Sequence, residues 1–190
     1  MTVETTAKVW TWEDWENLPD EEGKHYEIIE GELFVNASPV PRHQRVVKNL
    51  LVYLELYFRE HGNGEVLQSP IGVVISQINV VQPDLVVMVK NGAWTIDDKR
   101  IHGAPDLLVE VVSKGNRRHD EVRKKAIYES YGVQEYWIVD PEAERVRIFR
   151  RGGERFVHAA DVSMESGGDL TSPLLPNFSL DVADVFQIPR

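Results

Sequence analysis

The chain has 190 residues, 42% of them hydrophobic and 27% charged, with a formal net charge of −10. That length and composition suit a globular protein with a real core and argue against disorder, while the acidity argues against a broad nucleic-acid-binding surface. The chain contains no cysteine, which excludes disulfides, thiolate zinc sites and thiol nucleophiles together.

The first eight residues are polar, with no apolar signal core, and no stretch reaches the length needed to cross a bilayer. A cytoplasmic protein without membrane contact is therefore expected. The basic residues are unevenly placed. Lys114, Arg117, Arg118, Arg123, Lys124 and Lys125 crowd one segment, and Arg42, Arg45 and Lys48 join His43 at the start of a helix. Such runs read as solvated surface as readily as ligand contacts.

In chain order, Thr11 followed by Asp14 predicts a short capped helix whose tryptophans, Trp12 and Trp15, pack on the body. Residues 26–29 and 32–35 predict a hairpin around Gly31. Pro39 and Pro41 introduce a long helix over 42–61, with Val46, Val47, Leu50, Leu51, Leu54 and Phe58 as its apolar stripe. Gly62 and Gly64 stop it. Three strands follow at 71–75, 81–89 and 107–112, the last two apolar on both faces. Residues 90–103 between them read as a loop with a short helix near Trp94. A second helix spans 120–131 and ends at Gly132, followed by a strand at 135–139 and a turn at Asp140-Pro141. Residues 145–150 and 155–158 form a closing hairpin through Gly152-Gly153, and a tail rich in Gly, Ser and Pro ends in Phe178-Ser179-Leu180. No repeat or second-domain boundary is visible. The reading is one α/β (α+β) domain over 1–190, with a core of about 20–150 and a C-terminal hairpin and tail over 145–190. The core order is αβββαβ, a mixed sheet flanked by helices with hairpins added at both ends.

Two carboxylates stand out. Asp84 and Glu110 both lie in Val/Leu strands, where an acid costs several kcal/mol unless it is paired, protonated or bound to a cation. Leu108, Glu110 and Val112 share one strand face, and Asp84 begins the inward part of the neighbouring strand. Pairing of these strands could bring both acids to one divalent cation. Magnesium suits such a site, since it takes few carboxylates, a backbone carbonyl and several waters. Asp120, Lys124 and Tyr128 recur every four residues on one helix face, with Lys124 directed at Glu110. Glu121, Lys125 and Glu129 form the next row, read as an ion-paired solvent face. The alternative is structural: Asp84 caps a turn, and Glu110 pairs with Arg123 or Lys124.

Several spaced stretches, taken together, carry a resemblance. They are Tyr26-Glu27-Ile28-Ile29-Glu30-Gly31-Glu32-Leu33, Pro41-Arg42-His43-Gln44, Val81-Gln82-Pro83-Asp84-Leu85 and Pro105-Asp106-Leu107-Leu108-Val109-Glu110-Val111-Val112-Ser113. Asp120, Lys124 and Tyr128 follow, then Gly132-Val133-Gln134-Glu135-Tyr136-Trp137-Ile138-Val139-Asp140-Pro141. Over residues 20–150 the chain resembles the Uma2 family, within the PD-(D/E)XK restriction-endonuclease-like superfamily. The resemblance implies Asp84 and Glu110 as metal ligands, with the Val111 carbonyl as a third, and Mg²⁺ as cofactor with Mn²⁺ as substitute. The superfamily places a lysine two residues after the second acid, where this chain has Val112. Lys124 looks like a migrated replacement, and Lys114 competes for that role. The superfamily's extra acid is Glu32, or else Glu30 or Glu27. His43 could touch a phosphate or a metal-bound water, or only cap its helix. Tyr128 could donate to a phosphate or pack below the site. The implied activity is endonucleolytic hydrolysis of phosphodiester bonds, with nucleic acid, DNA foremost, as substrate. A homodimer is implied too, because relatives of the fold often pair and duplex cleavage needs two sites. Two other readings stay open: a non-catalytic binding or assembly module that retains the fold, and a phosphoesterase acting on a small nucleotide.

Overall fold

A computed structural model describes residues 8–19, 21–37, 39–113 and 119–187. The N-terminal helix α1 (Trp12–Glu16) starts where the Thr11 hydroxyl accepts the Asp14 N–H and the Asp14 carboxylate accepts the Thr11 N–H, a complete capping box. The hairpin of β1 (Lys24–Ile29) and β2 (Glu32–Ala37) turns through Glu30 and Gly31, both at positive φ. Helix α2 (Pro41–His61) carries a proline in its first turn and stops where Gly62 adopts the left-handed conformation.

From there the chain alternates between two sheets. Its strands are β3 (Gly64–Gln68), β4 (Gly72–Ser76), β5 (Asn79–Val81), β6 (Leu85–Val89), β7 (Trp94–Ile96), β8 (Arg100–Gly103) and β9 (Leu107–Val111). A π-helical segment, His119–Lys124, runs directly into α3 (Lys125–Ser130). Strands β10 (Glu135–Asp140), β11 (Arg145–Gly152), β12 (Arg155–Ser163), β13 (Asp169–Ser172) and β14 (Leu175–Asp181) follow, and α4 (Val182–Phe186) closes the described chain. The first sheet has the order β2-β1-β5-β4-β8-β7, the second β12-β11-β10-β9-β6-β3, and β13-β14 form a separate ribbon.

Taking α2, β3, β6, β9, α3 and β10 in order reproduces the αβββαβ core, with β9 and β10 parallel and β6 antiparallel to both β9 and β3. The pairs β4–β5 and β7–β8 are excursions into the first sheet. Alternation along β6 and β9 splits the core. Leu85, Val87, Leu107 and Val109 pack on Leu50, Leu54 and Phe58 of α2, whereas Val86, Met88 and Leu108 meet Ile29, Val73, Val81 and Ile101 of the first sheet.

Several expected elements change. The apolar run 81–89 is two strands in different sheets, because the chain crosses between them at Gln82-Pro83-Asp84, where Pro83 has no N–H to give a ladder. The strand expected at 71–75 lies in the first sheet, and the core's opening strand is β3, whose Glu65 and Gln68 disguise it. Residues 90–103 hold the β7–β8 hairpin and no helix near Trp94. The row Glu121, Lys125 and Glu129 faces β11 and β12: Glu121 pairs with Arg147, Lys125 lies over Phe149, and Glu129 accepts the Phe156 N–H. The tail contributes Leu170, Leu175, Leu180 and Val185 to the α2 side of the core. Among the described residues, no helix is long and apolar enough to cross a membrane.

Gly64 marks the tight passage from α2 into β3. A Cβ there would overlap the Met88 carbonyl oxygen and lie 2.8 Å from the Phe58 ring and 2.9 Å from Val89 Cα. Backbone cannot yield as a side chain can, so Gly64→Ala is expected to cost about 2 kcal/mol, read as a lower urea midpoint at unchanged slope.

Candidate active site

The charged cluster begins on β1. Alternation turns Glu27 inward, where it is 1% exposed. Its Oε1 accepts the Gln82 N–H at 2.7 Å, and its Oε2 accepts the Asn36 amide at 2.7 Å. Glu110 projects from the middle of the second sheet on β9. Between these two acids stands Lys124, 4% exposed, with Nζ 2.9 Å from Glu27 Oε1, 2.9 Å from Glu110 Oε1 and 3.4 Å from Asp120 Oδ1. The Tyr128 hydroxyl donates to the same Glu110 oxygen at 2.8 Å. Asp120 and Lys124 both come from the π-helical segment, and Tyr136 on β10 donates its hydroxyl to the Asp120 backbone carbonyl at 3.1 Å.

Asp84 sits at the sheet crossing. Its Oδ2 accepts the Val111 N–H at 2.7 Å and faces His43 Nε2, on the first turn of α2, at 3.2 Å. The Val111 amide thus ties Asp84 to the strand that carries Glu110. All these groups except Tyr128 and Tyr136 line a cavity of about 730 Å³. One oxygen each of Asp84 and Glu110, Oδ1 and Oε2, accepts no hydrogen bond from a described residue.

The electrostatics follow from four carboxylates sharing little water and one ammonium. Burial raises the Glu110 carboxyl well above the usual range; Lys124 opposes this, and Asp120, Asp84 and Glu27 add to it. Burial likewise lifts Asp120 to about 6 against the pull of Lys124, with Glu27 and Asp84 raising it further. Burial disfavours the Lys124 ammonium, but Glu110, Glu27 and Asp120 outweigh it and raise its pKa. Burial also opposes the His43 imidazolium, and Asp84 overcomes it to leave that pKa raised.

This excess of negative charge is relieved either by protons or by a cation. Among the described residues, no three His, Asp or Glu side chains converge as a complete metal shell. The donors present are nonetheless hard oxygens: two carboxylates with a spare oxygen each and the carbonyl of Val111 at the end of β9. That set fits Mg²⁺, which keeps several of its own waters.

The structure therefore brings together Asp84, Glu110, Val111, Lys124, Tyr128 and His43. It does not bring Glu32 to them. That residue is 63% exposed on the outer face of β2 and pairs with Arg123 at 2.7 Å. Of the three acids left open, Glu27 reaches the cluster, while Glu30 lies in the hairpin turn. Lys114 lies outside the described residues, as do Arg117 and Arg118. Asp120 was visible through its spacing from Lys124 and among the residues that carry the resemblance, without a role assigned to it. Asn36 and Gln82, which hold Glu27, were given no role from the sequence; the Asn36 contact lies within the β1–β2 hairpin, and the Gln82 contact depends on how that hairpin meets the crossing.

Two outcomes follow. Lys124→Met leaves three buried carboxylates without their ammonium, so unfolding at pH 7 without divalent ions is expected to lose about 3–5 kcal/mol. Asp120, at an ordinary 3.8 when unfolded and about 6 when folded, favours the native state while protonated. Its contribution is complete below pH ~4 and is lost as pH rises through 6. In divalent-free buffer Asp120→Asn should flatten that part of the stability profile, measured by urea midpoints from pH 4 to 7.

The Uma2 family, described as "Putative restriction endonuclease", matches residues 12–183. The match reaches past the expected 20–150 and includes the C-terminal strands that pack beside α2. The solved structure of "a putative nuclease belonging to DUF820" from Anabaena variabilis superposes with a TM-score of 0.76 over 93% of this chain and 97% of that one. At 16% identity this is a likeness of fold. No curated protein matches the chain. With most of its length matched and the fold shared, the chain belongs to the Uma2 family.

Proposed function

We propose that the protein is a metal-dependent endonuclease that hydrolyses phosphodiester bonds in nucleic acid, DNA in the first instance. The carrying observation is the pair Asp84 and Glu110, each offering a spare oxygen to one cavity beside the Lys124 ammonium. Asp84, Glu110 and the Val111 carbonyl would hold Mg²⁺, or Mn²⁺ in its place. When bound, the ion supplies positive charge to the phosphate and acidity to an attacking water.

The remaining roles belong to the chain. The Val111 N–H and His43 fix the Asp84 carboxylate from two sides. Tyr128 and Lys124 fix one oxygen of Glu110, leaving the other for the cavity. Glu27 holds the Lys124 ammonium at the cavity wall, where it can orient a water or offset charge building on the phosphate. Cleavage of both strands of a duplex would require a second copy, which makes a homodimer part of the proposal.

One observation favours the non-catalytic reading: Lys124 already neutralises Glu110 in the way a structural ion pair would. Mn²⁺ calorimetry separates the two. The wild type is expected to bind, Asp84→Asn and Glu110→Gln to lose binding, and Mg²⁺-dependent cleavage of circular DNA to fall by about 100-fold or more in each. A folded wild type that binds no Mn²⁺ and cleaves nothing would leave the binding or assembly module.

A further inference from the structure

Helix α2 forms one wall of the 730 Å³ cavity, with Val40 at its cap followed by His43, Gln44, Val47 and Lys48. Steps of three and four place these residues on one helix face. This end of α2 is basic. Arg42, His43, Arg45 and Lys48 all precede Asn49, and the helix carries no Asp or Glu before Glu55. In a chain of net charge −10 that stretch is a local exception.

The charges deeper in the cavity are engaged with one another: Lys124 with Glu27, Glu110 and Asp120, and His43 with Asp84. Lys48 is different. It is exposed, lines the same cavity and pairs with no carboxylate among the described residues. From His43 to Lys48 the helix rises about 7.5 Å, and helical side chains lean back towards the N-terminus. The Lys48 stem therefore leans towards His43, whose Nε2 is 3.2 Å from the Asp84 carboxylate. A DNA strand carries one phosphate per about 3.4 Å of helix axis, so a strand with one phosphate at Asp84 can bring another to Lys48.

We infer that Lys48 binds a backbone phosphate of the substrate, one or two nucleotides along the strand from the phosphate that is cleaved. An ammonium acts there as a point charge, so it reads the backbone and no base. The inference rests on the nuclease reading and adds the class of substrate. A polynucleotide reaches both places, whereas a mononucleotide with a single phosphate reaches only one.

The test compares a thymidine dinucleotide, with its single phosphodiester, and a thymidine tetranucleotide as substrates of the full chain in Mg²⁺. The wild type should favour the tetranucleotide in kcat/KM by about tenfold or more. Lys48→Gln should remove most of that preference. Lys90→Gln, which takes the same charge from an exposed turn outside the cavity, should keep it. Binding is read separately, by fluorescence anisotropy of a labelled single-stranded 20-mer in Ca²⁺ from about 50 to 200 mM salt. Lys48→Gln, with a urea midpoint matching the wild type, should lower the slope of log K against log salt by about 0.7, whatever the base sequence. An unchanged preference and salt slope in that variant would overturn the contact and leave Mn²⁺ binding and cleavage, hence the nuclease, intact. A wild type that binds Mn²⁺ but not the 20-mer would overturn it too. Binding of the 20-mer through Lys48 in a chain that cleaves neither oligonucleotide would sustain the contact and sink the nuclease.

Discussion

The Lys124 ammonium is the point on which this structure turns. It is buried against Glu27 from the first sheet, Glu110 from the second and Asp120 from its own π-helical segment. Burying an ammonium costs several kcal/mol, and burying carboxylates costs as much again. Each is tolerable only in the company of the others. The cluster therefore does more than assemble a site: it specifies how β1, β9 and the π-helical segment meet. A different docking of the hairpin would leave Glu27 without its ammonium.

The crossing at Gln82-Pro83-Asp84 supplies the second constraint. A strand that ran on through these residues would stay in one sheet. Because Pro83 breaks the ladder, the chain passes from β5 into β6 and leaves two side chains and one amide free for other work. Asp84 binds the end of β9 through the Val111 N–H, and the Gln82 N–H binds Glu27. Structural joint and chemical site are the same three residues. Polar groups that the sheet cannot use are aimed at the space between the sheets.

The overall acidity and the local chemistry are not in conflict. Several of the acids are neutralised within the fold: Glu32 by Arg123, Glu16 by Arg100, Glu121 by Arg147. Those in the Lys124 cluster are not balanced one for one, and it is this local surplus, more than the net charge of −10, that makes a cation a reasonable guest.

Much of this was legible in the residues. Asp84 and Glu110 betray themselves as acids in apolar strands, since burial makes such residues expensive wherever they fall. Lys124 and Tyr128 share a helix face by spacing alone, and periodicity marks the two core helices and the apolar strands β6, β9 and β10, but not β3, whose place the strand at 71–75 took in the expected order. What the sequence could not decide was which strands keep company. The run 81–89 looks like one strand, because apolar residues read alike whether they stay in a sheet or leave it. The choice among Glu27, Glu30 and Glu32 depended on which face of the hairpin turned inward, and the other sheet sets that. Of the extra members of the site, Asp120 and Asn36 are held by contacts local to one helix face and one hairpin, and Gln82 by a contact between residues 55 apart in the chain. Local pattern determines which residues are costly to bury; only tertiary packing decides which of them are buried together.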